Sequence, residues 1–196
     1  MPNRPPILTD IDGVLLDWCG AFSAHVRKKL GKKIEGCVSD VYSVERWLGV
    51  SKTEADALLS AFNGSEALAE LPAFPDAKAA VAALAERGFR FVAVTAVSDD
   101  RATRQRRAVN LRTAFGDVFD EVIHVGRGGG KDDALRRFPP SFWIDDIPAY
   151  AVAGRDAGHR AMLIERPYNK NEIIEGVRRV TDWSQIVSAI LHDGRT

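Results

Sequence analysis

Two aspartates follow the first apolar run of the chain, in the stretch PPILTDIDGVLLDW over residues 5–18. Asp10 and Asp12 are separated by one residue, so in an extended strand their side chains point to the same side. One carboxylate can attack the phosphorus of a phosphate ester and form an acyl-phosphate that water later hydrolyses. A second carboxyl group beside it can protonate the leaving oxygen and then activate that water. Aspartates at a strand end are also common as simple turn residues, so the interpretation depends on the other strand ends.

Polar side chains also stand at the ends of other predicted strands. Thr95 ends the second strand, Lys131 opens the helix after the third, and Asp145 and Asp146 end the fourth. In an open parallel sheet, ligands bind beyond the carboxyl ends of the strands, so we expect these groups to face one crevice. A cluster of carboxylates needs a cation, and all-oxygen ligands favour a hard ion such as Mg²⁺. The pattern therefore predicts a magnesium and phosphate site.

The elements that must position these residues alternate regularly from about residue 76 onward. Strands are predicted over residues 7–12, 89–97, 121–126, 141–145 and 160–165, and helices over 76–87, 99–115, 131–138, 148–157 and 182–192. Strands that alternate with helices of this length indicate a parallel sheet covered on both faces. The predicted fold class is a doubly wound α/β fold of Rossmann-like type.

About sixty residues of mostly helical pattern separate the first strand from this regular part. Helices are predicted there over residues 18–30, 43–49 and 51–62. Such a segment is far longer than a usual connection between a strand and a helix. We therefore predict a small helical cap at residues 18–74, inserted into an α/β core made of residues 1–17 and 75–196.

Composition limits the classes of function. The 196 residues carry 27 basic and 27 acidic side chains, so no net field attracts a membrane surface, and nucleic acid is not a favoured partner. Cys19 and Cys37 are the two cysteines, which we interpret as reduced thiols. There is no secretory signal pattern and no apolar run near 18 residues, which predicts a cytoplasmic protein that does not enter a membrane. The oligomeric state is not determined by the sequence.

The stretches LTDIDGV, VAVT and WIDD, together with Lys131, resemble the four motifs of the haloacid dehalogenase superfamily of Mg²⁺-dependent phosphatases. The resemblance covers nearly the whole chain, and the helical insertion is similar to that family's cap. It implies that Asp10 is the nucleophile and Asp12 the general acid and base. It also implies that Thr95 and Lys131 bind the transferred phosphoryl group.

The same resemblance implies a set of metal ligands. Mg²⁺ would be held by Asp10, by Asp12 through its backbone carbonyl, and by Asp145, with Asp146 beside them. Family members that cleave carbon–halogen bonds lack the second aspartate of the first motif. The presence of Asp12 therefore favours phosphate chemistry and hydrolysis of a phosphomonoester.

A narrower resemblance concerns the substrate. The stretches DGVLLDW, IDD, RPYNK (166–170) and DWSQIV are similar to the 5'-nucleotidase branch, including the deoxyribonucleotidases, which implies a nucleoside monophosphate as substrate. The chain departs from that branch in the loop GRGGGK and in TAVSDD. Alternatives therefore remain open: a phosphatase for a sugar phosphate or another small metabolite, a polynucleotide-end phosphatase, or a phosphate-binding module without catalysis.

Three further features have both a functional and a plain structural interpretation. Trp18 is a candidate to contact the substrate, although aromatic residues at this spacing also pack in cores. Arg127, in the loop VGRGGGKDD, is a candidate phosphate ligand, although this loop lacks the spacing of a P-loop. The helix over residues 99–115 is rich in arginine, and we interpret it as a solvated face and not as a surface for nucleic acid.

Overall fold

The computed structural model describes residues 4–31, 33–96, 100–126 and 129–193. Six strands form one sheet in which every neighbouring pair is parallel, in the order β3-β2-β1-β4-β5-β6. The strands are β1 (Ile7–Thr9), β2 (Phe91–Ala96), β3 (Phe119–Val125), β4 (Phe142–Asp145), β5 (Arg160–Ile164) and β6 (Arg178–Val180). The order changes direction at β1, which lies between β2 and β4. Such a switch point is where an open α/β sheet forms a crevice for ligands.

Helices cover both faces of the sheet. In chain order they are α1 (Trp18–Leu30), α2 (Val38–Val41), α3 (Val44–Leu48), α4 (Lys52–Asn63), α5 (Pro75–Glu86), α6 (Arg101–Phe115), α7 (Asp132–Leu135), α8 (Pro148–Asp156) and α9 (Trp183–Asp193). Side chains on one face of the sheet pack with α5, α6 and α9, and those on the other face pack with α7 and α8. Because successive residues of a strand point to opposite faces, strands buried on both sides are apolar throughout. The predicted doubly wound α/β fold is confirmed.

The helical insertion after the first strand is also present, since α1 to α4 all lie between β1 and β2. Its buried residues, among them Phe22, Val26 and Phe62, belong to the same apolar cluster as the face of the sheet that α5 and α9 cover. The division of the chain into a cap at 18–74 and a core remains a prediction.

Among the described residues, no helix combines the length and the apolar character that crossing a membrane requires.

Some elements differ from their predicted bounds. The helix predicted over 131–138 ends at Leu135, and two prolines, Pro139 and Pro140, follow within five residues. Proline cannot continue a helix, and it restricts the residue before it, which explains an early end. Helix α2 and strand β6 were not predicted, since each has only three or four residues and shows no periodic pattern of its own.

Candidate active site

Asp10 and Asp12 stand in the turn that leaves the central strand. The Asp10 backbone N–H donates to the Ile144 carbonyl at 2.8 Å, which continues the pairing of β1 with β4 by one residue. Beyond it, the N–H groups of Leu15 and Leu16 both donate to the carbonyl of Ile11, so the chain turns tightly around the site. The Asp10 side chain is nearly buried, whereas that of Asp12 is 29% exposed.

Gly13 allows this turn to pass close to the acidic cluster. Its φ is +82°, in the left-handed region that favours glycine. A Cβ at this position would lie 2.1 Å from Oδ2 of Asp146 and 2.8 Å from the hydroxyl of Tyr168. The turn is also held from the C-terminal half of the chain, because Arg166 Nε donates to the Gly13 carbonyl at 2.5 Å and Trp183 Nε1 donates to the Val14 carbonyl at 3.0 Å.

Lys131 connects two of the aspartates. Its Nζ lies 2.6 Å from Oδ1 of Asp10 and 2.8 Å from Oδ2 of Asp145, and the side chain is almost completely buried. The same Nζ is 4.6 Å from the centre of the Tyr150 ring. Burial alone would lower the pKa of this amine, but the two carboxylates outweigh burial and raise the pKa. Lys131 therefore stays positively charged in the site.

Carboxylate oxygens of Asp10, Asp145 and Asp146 lie within 4.8 Å of one another. Asp145 Oδ1 accepts a hydrogen bond from the Ile147 N–H at 2.8 Å, and Asp146 Oδ2 accepts one from the Tyr168 hydroxyl. Asp146 Oδ1 is buried and has no hydrogen-bond partner among the described residues.

Burial of these carboxylates has an electrostatic consequence. It raises the pKa of Asp145 to about 6 despite the opposing effect of Lys131, and it raises the pKa of Asp146 well above the ordinary value. A cation beside them would reverse that shift by stabilising the charged forms. An all-oxygen donor set with one unsatisfied carboxylate oxygen suits a hard divalent cation such as Mg²⁺.

Asp12 is paired with an arginine and does not belong to that group of three carboxylates. Arg107 Nη2 donates to Asp12 Oδ2 at 2.7 Å, and the Arg107 side chain has no solvent exposure. Burial raises the pKa of Asp12 to about 6, although Arg107 acts in the opposite direction. A carboxyl group with a raised pKa is suited to act as a general acid.

The prediction of a solvated face on helix α6 was wrong for Arg107. This residue shares the buried face of the helix with Thr103, Asn110 and Leu111. Those positions lie four before, three after and four after Arg107, which places them on one side of a helix. The spacing was a signal for burial that the arginine content of the helix obscured.

A cleft of about 940 Å³ joins the carboxyl ends of the strands to the inserted helices. Its lining includes the predicted residues Asp10, Asp12, Trp18, Thr95, Lys131 and Asp146. Asp145 has no solvent exposure and does not line the cleft, but its carboxylate belongs to the group of three and lies against Lys131. Arg127, the other predicted substrate ligand, lies outside the described residues.

Trp18 both packs against other aromatic residues and lines the cleft, so the structure agrees with both interpretations of this residue. Its ring stacks on Phe22 with centroids 4.8 Å apart, and its Nε1 donates to Asn63 Oδ1 at 3.0 Å. The same side chain also lines the cleft. Trp18 is therefore a fixed aromatic wall of the cleft that is packed from behind by the inserted helices.

The segment RPYNK has a role at the site that the sequence did not indicate. In addition to the bond from Tyr168 to Asp146, Asn169 Nδ2 donates to the carbonyls of Asp146 and Ile164 at 2.7 and 2.8 Å. This segment therefore fixes both the side chain and the backbone of Asp146. From the sequence alone, this motif indicates only a resemblance to nucleotidases.

No protein-family model matches the chain. The "uncharacterized 32.4 kDa protein in Gp30-rIII intergenic region" of Enterobacteria phage T4 is 24% identical over an alignment of 197 positions, which covers 87% of this chain and 68% of that protein.

Solved structures that resemble the chain share its fold. D,D-heptose 1,7-bisphosphate phosphatase from B. bronchiseptica, complexed with magnesium and phosphate, has a TM-score of 0.62 at 18% identity, covering 97% of this chain and 99% of that one. A haloacid dehalogenase-like hydrolase from Streptococcus pneumoniae has a TM-score of 0.66 at 18% identity, covering 96% and 99%. Protein Tyrosine Kinase A of Mycobacterium tuberculosis reaches 0.70 at 15% identity, again covering 96% and 99%. The chain has the α/β fold of haloacid dehalogenase-like hydrolases.

Proposed function

We propose that the protein is a Mg²⁺-dependent phosphomonoester hydrolase that acts through an aspartyl-phosphate on Asp10. The observation that carries this proposal is the placement of two chemically different aspartates at one strand end. Asp10 is paired with Lys131 and lies in a cluster of three carboxylates, whereas Asp12 faces the cleft and is paired with Arg107. A fold does not determine an activity, so we infer the activity from the residues of this site.

The two aspartates divide the reaction between them. In the first step, a carboxylate oxygen of Asp10 forms a bond to phosphorus while the bond to the leaving oxygen breaks, and Asp12 donates a proton to that oxygen. In the second step, Asp12 takes a proton from water, and the water oxygen attacks the phosphorus and releases Asp10. Lys131 and Thr95, both buried at the cleft wall, position the phosphoryl oxygens.

The residues that would hold Mg²⁺ are Asp10, Asp145 and Asp146, with the backbone carbonyl of Asp12 as a further oxygen. When bound, Mg²⁺ supplies positive charge against the phosphoryl oxygens and the carboxylates. The unsatisfied, buried Oδ1 of Asp146 supports this assignment, because a buried carboxylate oxygen without a partner is costly.

Hydrolysis of phenyl phosphate tests the proposal. The wild-type protein should release phenol in the presence of Mg²⁺ and lose this activity in EDTA. Asp10→Asn should lower kcat by about a thousandfold or more, as expected when a nucleophile is removed. Asp133→Asn, a change at a fully exposed aspartate on α7, should leave the rate unchanged. Undiminished activity in Asp10→Asn would exclude the mechanism.

For the substrate, we propose a nucleoside monophosphate. Trp18 offers an aromatic wall on which a base can stack, and the polar side chains of Ser60 and Asn63 line the same cleft. The described part of the cleft lining carries six carboxylates and three cations. Each of these cations, Lys52, Arg107 and Lys131, already contacts a carboxylate. This charge balance favours a substrate with one phosphate group over a bisphosphate or a polynucleotide end.

A sugar phosphate is a second candidate, because the inserted helices also present hydroxyl and carboxylate groups to the cleft, including Ser43, Glu45 and Asp56. Such groups hydrogen-bond the hydroxyls of a polyol. A panel of nucleoside monophosphates, sugar monophosphates, sugar bisphosphates and a 3'-phosphorylated oligonucleotide separates these candidates by kcat/KM. Binding of phosphate without turnover of any ester would instead support a non-catalytic module.

A further inference from the structure

Arg107 is a buried cation whose hydrogen bonding is incomplete. Its side chain has no solvent exposure, and Nη2 donates to Asp12 Oδ2 at 2.7 Å. Nε and Nη1 of Arg107, and Oδ1 of Asp12, are buried and have no hydrogen-bond partner in the part of the chain that the structure describes. Burying a guanidinium that is only partly satisfied is costly for stability. Costs of this kind tend to occur at functional sites.

Helix α6 holds Arg107 in place from both sides. One turn before it, Thr103 Oγ1 donates to the Asn63 carbonyl at 3.3 Å, and one turn after it, Asn110 Nδ2 donates to the Leu71 carbonyl at 3.0 Å. Both carbonyls belong to the segment between β1 and β2. The buried face of α6 is therefore fixed against the inserted segment, and Arg107 extends from that face to Asp12.

We propose that Arg107 is a positioning residue that orients Asp12 for proton transfer to the leaving group. Its hydrogen bond to Oδ2 sets the orientation of the Asp12 carboxyl group, and the Asp12 side chain lines the cleft. In the step concerned, the O–H bond of Asp12 breaks, the proton goes to the leaving oxygen, and the bond between that oxygen and phosphorus breaks as Asp10 bonds to phosphorus. This inference rests on the proposed phosphatase function.

The dependence of rate on the leaving group separates this role from a structural one. Dinitrophenolate leaves without a proton, whereas phenolate benefits from one, and both esters place the same phosphoryl group on an aromatic ring. The parameter kcat/KM covers only the steps up to release of the first product, so hydrolysis of the aspartyl-phosphate does not enter it. A general acid typically contributes about 10²–10⁴-fold. We expect Arg107→Met to lower kcat/KM about 10- to 100-fold for phenyl phosphate and less than about threefold for 2,4-dinitrophenyl phosphate.

Three further variants complete the experiment. Asp12→Asn should show the same preference for the better leaving group, and adding Arg107→Met to it should cause little further loss, since the two residues act as one unit. Arg107→Lys should recover part of the rate on phenyl phosphate, because it keeps a charged donor. Arg112→Met, an arginine change at an exposed position of the same helix, should leave both rates unchanged.

The outcomes are distinct. Equal losses on both esters, or no loss on either, would overturn the role of Arg107 while leaving the phosphatase function in place. If the wild-type protein hydrolyses neither ester, the phosphatase function fails, and this inference fails with it. Should Arg107→Met not fold, Arg107→Lys carries the same comparison: a smaller preference in the same direction supports the inference, and an absent preference overturns it.

Discussion

Replacement of Lys131 by methionine tests the charge balance of the site through stability as well as activity. Methionine keeps most of the side-chain volume but removes the ammonium group that lies 2.6 Å from Asp10 and 2.8 Å from Asp145. The side chains of Lys131, Asp10 and Asp145 are all buried, so the two carboxylates would lose a cation that water cannot replace. Removing one partner of a buried ion pair typically costs about 3–5 kcal/mol. We expect the free energy of unfolding in EDTA to fall by about that amount.

Mg²⁺ should change the difference in the free energy of unfolding between Lys131→Met and the wild type. A ligand that binds only the folded state adds to the free energy of unfolding in proportion to the logarithm of its concentration over Kd. Without Lys131, the three clustered carboxylates attract a divalent cation more strongly. We therefore expect Mg²⁺ to stabilise Lys131→Met by more than it stabilises the wild type, so that the difference in stability narrows. Activity should stay low at saturating Mg²⁺, because the ammonium group that we propose to position the phosphoryl oxygens is absent.

Urea unfolding followed by tryptophan fluorescence, in EDTA and at several Mg²⁺ concentrations, measures these effects. Lys78→Met is the matched control, since Lys78 is exposed on α5 and surface changes usually alter stability by less than about 0.5 kcal/mol. If Mg²⁺ alters the stability of neither protein, the carboxylates do not form the metal site. If Lys131→Met is as stable as the wild type in EDTA, the ion pairs do not compensate the buried charges.

Three other changes give independent tests. Gly13→Ala should destabilise the protein by more than about 2 kcal/mol and lower kcat, because its φ is +82° and the new Cβ would meet Asp146; urea unfolding and phosphatase assays measure both effects. Trp18→Leu should raise KM for nucleoside monophosphates about tenfold, and so lower kcat/KM for them, while kcat/KM for phenyl phosphate stays nearly unchanged. An equal loss of kcat/KM for the two kinds of substrate would exclude base stacking on Trp18. Burial lowers the pKa of His159 below its ordinary 6.5, and its Nδ1 accepts from the Ser141 N–H, so the folded state favours the neutral ring. His159 should therefore contribute a loss of stability as pH drops below about 6.5, whereas the raised pKa values of Asp12 and Asp145 act in the opposite direction in wild type and variant alike. The free energy of unfolding of the wild type minus that of His159→Gln should accordingly decrease between pH 7.5 and 5, and a difference that does not change with pH would contradict this assignment.

The groups at the strand ends could be predicted from the sequence for a physical reason. In a parallel sheet, the carboxyl ends of all strands lie at one edge, so identifying the strands also locates the residues that follow them. Asp10 and Lys131 are 121 positions apart, yet both follow from this rule, and the structure places their polar atoms 2.6 Å from each other. Knowledge of side-chain rotamers was not required, because the backbone topology alone brings these positions together.

The partners that orient these groups could not be predicted in the same way. Arg107 and Tyr168 lie on elements whose packing angle decides which side chain they meet, and no local pattern encodes that angle. Arg107 is 95 positions from Asp12, in a helix whose composition favoured exposure, and Tyr168 contacts Asp146 from a short 3-10 turn. Tertiary contacts of this kind override local propensity.

The hydrogen-bond partners of Asp12 and Asp146 differ in a way that fits the two roles proposed for these residues. Asp12 has one oxygen on Arg107, and Asp146 has one oxygen on Tyr168, and in each case the second oxygen is buried without a partner among the residues described. The donors differ in charge: the Arg107 guanidinium opposes the effect of burial on the pKa of Asp12 mainly through its charge, whereas the neutral Tyr168 hydroxyl opposes that effect on Asp146 only through a hydrogen bond. A carboxyl group whose pKa lies near neutral pH suits proton transfer, and a carboxylate whose hydrogen-bond donor is uncharged suits a cation. Asp12→Asn should therefore alter dependence on the leaving group and leave stabilisation by Mg²⁺ intact, whereas Asp146→Asn should weaken stabilisation by Mg²⁺, and unfolding measurements with the two phenyl esters distinguish the two effects.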